Sequence, residues 1–135
     1  MSASIEHFQS IDRAACIDFQ RLAIKTVELH AMGMGYTGAG NRTDNSVRIE
    51  ITGSPDAGTA TRFILLFYPV GDTRLINPFY DANRTTLTVT QTLAALPGWI
   101  SALSNIPINE ATVVSYYATQ DRYEFECLRR LTYKS

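Results

Sequence analysis

The chain carries little with which to hold a metal ion or attack a substrate. It has two cysteines, Cys16 and Cys127, and two histidines, His7 and His30, in 135 residues. Two thiols far apart in sequence make no disulfide framework, and no C-x-x-C pair is present for zinc or redox chemistry. Neither His-x-x-x-His nor His-x-Glu occurs, so a metal site would have to be built mainly from carboxylates. Asp81-Ala82-Asn83-Arg84-Thr85 begins like a calcium loop but lacks the glycine and closing glutamate such a loop needs, and reads as a turn. A Cys-His nucleophile would need His7 or His30 beside a cysteine, with a third group to orient the base, and no spacing singles one out. The reading is therefore of no catalytic, cofactor or metal residues.

An excess of charge is also missing. The formal net charge is -1, which provides no general pull toward nucleic acid or an anionic membrane. Arg42, Arg84, Arg129 and Arg130 are not interleaved with aromatics in any known nucleic-acid module. The longest apolar run, Phe63-Ile64-Leu65-Leu66-Phe67-Tyr68, falls far short of the about 20 residues that span a bilayer. The first residues lack the basic stretch and apolar core of a secretory signal, which predicts synthesis in the cytoplasm without a signal peptide.

What is present suits a folded unit. Hydrophobic residues make up 45% and charged residues 19%, a globular balance, and the length fits a single domain over 1–135. Apolar residues at Ile5, Phe8, Ala15, Phe19, Leu22 and Leu29 form an approximate helical stripe, with Ser4 placed to cap its start and Gly33 to stop it. A competing reading starts a strand near Lys25, because Lys25–Ala31 partly alternates and Val27 lies off the stripe. The helix is the preferred expectation.

Val47–Thr52 alternates cleanly and Arg62–Val70 is apolar on both faces, with turn residues Gly53–Thr59 between them. This predicts an antiparallel hairpin. Residues 71–91 are repeatedly broken by Gly, Asn-Pro and Asp-Ala-Asn, with Thr86–Thr90 a strand or an extended lead-in. Residues 92–105 turn helical, with Leu93, Leu96, Ile100 and Leu103 on one stripe and Pro97 dividing it into two short pieces or a kink. Ala111–Lys134 reads as a second hairpin, turning at Gln120-Asp121, with Tyr123, Phe125 and Cys127 sharing its inward face. The expected class is α+β: a mostly antiparallel sheet of two hairpins, packed by a long N-terminal helix and a short helical segment near 92–105.

Residues 33–46 hold four of the eight glycines. Gly33-Met34-Gly35-Tyr36-Thr37-Gly38 spells G-x-G-x-x-G, but a phosphate cradle needs a strand before the glycines and a helix after them. The flanks do not supply that context. The segment is instead read as a contact loop for another protein, with Gly33, Gly35, Tyr36, Gly38, Gly40, Asn41 and Arg42 as its candidate residues.

The order of these elements resembles that of phage tail-terminator and related head-to-tail joining proteins. The segments that carry the resemblance are "VRIEITGSPDAGTATRFILLFYPV", "QTLAALPGWISALSNI" and "ATVVSYYATQDRYEFECLRRLTYKS". It implies a non-catalytic virion subunit that self-associates into a ring and grips other proteins of the assembly. A capsid cement protein fits the same pattern. Neither a small-molecule ligand nor a membrane partner is expected. The alternative from a different class is a small ligand-binding domain or enzyme using the 33–46 loop.

Overall fold

The computed structural model describes residues 16–31, 46–105, 108, 111–120 and 122–129. Along the chain run β1 (Asp18–Ala31), β2 (Val47–Ala57), β3 (Arg62–Tyr68), β4 (Phe79–Asp81) and β5 (Thr86–Thr92). A single 3-10 turn (Leu93–Ala95) then leads into α1 (Leu96–Ser104), followed by β6 (Thr112–Ala118) and β7 (Tyr123–Arg129). The strands form one seven-stranded sheet in the order β4-β5-β3-β2-β1-β6-β7. All neighbours are antiparallel except β3 and β5.

The α+β expectation is corrected on this point: the described chain is mostly β, and the segment assigned to the end of a long N-terminal helix is the longest strand of the sheet. Residues 5–15 of that assignment lie outside the described residues. The physical reason for the misreading is a β-bulge. β1 pairs with β2 as Ile24↔Gly53 and then Thr26↔Thr52, leaving Lys25 as the extra residue. Inward positions therefore advance by two from Leu22 to Ile24, by three from Ile24 to Val27, and by two again to Leu29. The bulge thus sets Leu22 and Leu29, seven residues apart, on one face as a helix would, and Phe19 joins the stripe from the outer face, where it stacks on Tyr117. The competing strand reading had the right element, although the strand begins at Asp18 rather than near Lys25.

A second irregularity lies between Arg21↔Ala57 and Leu22↔Pro55, where Asp56 is extra. Hence β2 continues through residues that looked like turn chemistry, and the reversal is confined to Gly58–Thr61. Gly58 takes φ +76°, a region that disfavours side chains, and a Cβ there would overlap the Gln20 carboxamide. Gln20, buried on β1, accepts hydrogen bonds from the backbone N–H groups of Thr59 and Ala60, each at 3.0 Å. This one side chain fixes the β2–β3 turn against the neighbouring strand.

The two bulges increase twist, and the sheet curls around its inner face. Leu22, Ile24, Ile49, Ile51, Phe63, Leu65, Phe67, Leu87, Val89 and Val114 are fully buried there. The last strand comes back across the core. Phe125 on β7 lies 6.0 Å from Phe63 on β3, and the Tyr123 hydroxyl donates to the Thr90 carbonyl on β5 at 3.2 Å. α1 fills the seam between β5 and β7. Trp99 stacks edge-on against Phe125 at 5.0 Å and donates its indole N–H to Gln91 Oε1 at 2.8 Å. Trp99 points inward while Ile100 is 41% exposed, so the helical stripe is shifted from the expected one. Pro97 lies in the first turn of α1, where its missing N–H costs nothing, and the 3-10 turn precedes it as a separate piece.

Candidate interaction surface

The strand register sets side chains in transverse rows on the outer face, opposite the core. One row runs Phe79, Thr88, Ile64, Glu50, Glu28 from β4 to β1. A second runs Asp81, Thr86, Arg62, Thr52, Thr26, and a third runs Thr90, Leu66, Arg48, His30 from β5 to β1. The connection after β3 crosses this face at β5, where Thr90 Oγ1 both accepts from the Ile76 N–H and donates to the Ile76 carbonyl, at 2.8 Å each. Arg74 in the same connection sits 4.2 Å over the Tyr68 ring and holds Asp72 by two side-chain hydrogen bonds. Those bonds, together with the Arg74 backbone N–H, lower the Asp72 carboxyl to about 2.

The result is a half-open face of two textures. Toward β4, Phe79 is 57% and Ile76 60% exposed, and on the same face Ile64 and Leu66 of β3 are half-buried, separated from them by Thr88 and Thr90 of β5. Toward β1, the groups are ionic: Arg48 bonds Glu50 at 2.7 Å, Arg62 approaches the same carboxylate at 3.7 Å, and His30 meets Glu28 at 3.1 Å. Arg48 Nε is buried without a hydrogen-bond partner among the described residues.

Elsewhere the outer face is closed along β6, flanked by half-buried Phe19, Arg21 and Ala23 of β1 and by Glu124 and buried Glu126 of β7. All seven residues of β6 are buried, on both faces. Arg21 donates from Nε to Ser115 Oγ at 2.7 Å and from Nη2 to the Tyr117 hydroxyl at 3.3 Å, while Asp56 lies 3.9 Å from its Nη1. Tyr117 donates in turn to Glu126 Oε1 at 3.3 Å and stacks on Phe19 at 4.9 Å. Sequence reasoning missed this network. Its signal was the polar alternation of Arg21, Ser115 and Glu126, which are directly opposite in register but distant along the chain.

The contact-loop residues Gly33, Gly35, Tyr36, Gly38, Gly40, Asn41 and Arg42 lie outside the described residues. Their flanks are described: the segment joins Ala31 to Val47, which are paired ends of antiparallel strands. A dinucleotide fingerprint instead joins parallel strands through a helix. Of the conceivable thiol–imidazole pairs, those with His7 lie outside the described residues, and those with His30 are apart. His30 projects to the outer face, whereas Cys127 packs against the core and Cys16 precedes the opposite end of β1. Burial, with the Glu126 charge second, pushes the Cys127 thiol up to about 11. Burial likewise raises Tyr116, to about 12, with Asp18 and Tyr123 adding to it.

Among the described residues no cluster of three or more His, Cys, Asp and Glu is placed to hold a metal, and no helix is long and apolar enough to cross a membrane. No family model matches the chain, and neither a curated protein nor a solved structure matches it.

Proposed function

We propose that the chain is a non-catalytic interaction subunit that associates with copies of itself and with other proteins of an assembly. The observation that carries this reading is the half-open apolar area of the outer face, Phe79, Ile76, Ile64 and Leu66, bordered by the Arg48, Glu50 and Arg62 charges. Large apolar side chains left in solvent on a sheet face are a feature of protein contact sites. The narrower proposal is a small phage virion subunit, a head-tail or tail-terminator-like ring component or a capsid cement protein. Its support is the sequence resemblance, whose segments form β2–β3, α1 and β6–β7.

Sedimentation velocity at tens of micromolar, followed by negative-stain imaging, tests both levels. A species several times the 15.0 kDa chain supports self-association, and rings in the images support the ring component. A strict monomer that also fails to bind phage particles contradicts the proposal.

A further inference from the structure

We infer that α1 is a separately opening seal over the β5–β7 seam, released as a unit while the seven-stranded sheet stays folded. This does not rest on the proposed self-association. The helix is intrinsically weak. It has nine residues, below the length at which a helix persists on its own, and it contains Pro97 and Gly98 in its first turn. Ala95 at its N-cap makes no side-chain cap bond, and neither an acidic residue in the first turn nor a basic one in the last offsets its dipole. Its attachment is a short list: buried Trp99, with Leu96 and Leu103 packed against the core, and the Trp99–Gln91 hydrogen bond.

The sheet beneath does not depend on it. Each strand is hydrogen-bonded to its neighbour along the sheet, and Tyr123 ties β7 to β5 directly through the Thr90 carbonyl. An element with few buried anchors on a continuous hydrogen-bonded sheet belongs to the low-stability end of a protein's local unfolding spectrum. Its release uncovers Phe125 and Gln91 while leaving the bond from Tyr123 to Thr90 in place.

Trp99, the only tryptophan, reports the opening. In urea, its emission should shift to the red at concentrations where the far-ultraviolet strand signal is still native. In native hydrogen exchange, the amides of Ile100–Ser104 should exchange at least about tenfold faster than those of β2 and β3. The variant Gly98→Ala decides the mechanism, because a Cβ at Gly98 meets nothing within 4 Å and alanine favours helix. It should slow exchange of Ile100–Ser104 about fivefold and leave β2 and β3 unchanged. Coincident loss of the tryptophan and strand signals, or equal slowing of helix and strands by Gly98→Ala, overturns the inference.

Discussion

Two halves of one sheet face solve the same problem differently. Along β6 and its flanks on the first half of β1 and on β7 the outer face is largely covered, and Arg21, Ser115, Tyr117 and Glu126 pair with one another. Over β4, β5 and β3 the same face keeps Phe79 and Ile76 in solvent, with Ile64 and Leu66 half-buried across β5 from them. A buried polar network contributes to stability only when each member is paired, and it leaves nothing for a partner to satisfy. A half-open apolar area has the opposite character: it adds little to the fold and much to association. The contrast fits the proposal made above, with the covered half holding the chain together and the open half available for contact.

The inner face is common to both halves and should be the most sensitive. Phe63→Ala removes a fully buried ring that touches Phe125 across the core, and should cost about 3–5 kcal/mol in urea unfolding. In the closed outer half, Arg21→Ala strips donors from buried Ser115 and Tyr117 and should cost about 1–3 kcal/mol by the same measurement. Loss below a few tenths would mean that the network is not what closes that half.

The inner side of β7 offers a pH test. The Cys127 thiol is held protonated in the fold, from an ordinary 9.0 up to about 11. The unfolded chain therefore loses that proton first, and ionisation favours unfolding. The contribution is fully present below pH 9 and lost as pH rises from about 9 to about 11, by on the order of 2 kcal/mol. Urea unfolding of wild type and Cys127→Ala across that window checks it: the alkaline loss should shrink in the variant. Cys127 should also react slowly with iodoacetamide in the native state at pH 8.

Individual strands could be read in the sequence, but the contrast between the two halves could not. The hairpins 47–70 and 111–134 were legible because their inward residues keep a strict period of two: Ile49 and Ile51, then Tyr123, Phe125 and Cys127. β1 was not, because Lys25 at the bulge breaks that period where a helical pattern would also break it. The closed network was hidden because Arg21 and Ser115 are neighbours only through strand order, β1 beside β6. The apolar outer side of β3 was visible as a run without alternation. It reads as a central strand buried on both faces until the half-open side is seen. The glycine-rich spelling at 33–38 required a helix after it, whereas the next described element is the antiparallel strand β2.

The smallest stability effect should come from a residue placed in the proposed contact. Phe79 is exposed on the edge strand, so Phe79→Glu should change unfolding free energy by no more than about 0.5 kcal/mol. Light scattering coupled to size exclusion, run on wild type and Phe79→Glu at equal concentration, tests the central claim most directly. Wild type should be an oligomer, and Phe79→Glu should shift toward the 15.0 kDa monomer while keeping a native circular dichroism spectrum. Equal masses for the two proteins would contradict the assignment of the open half to contact.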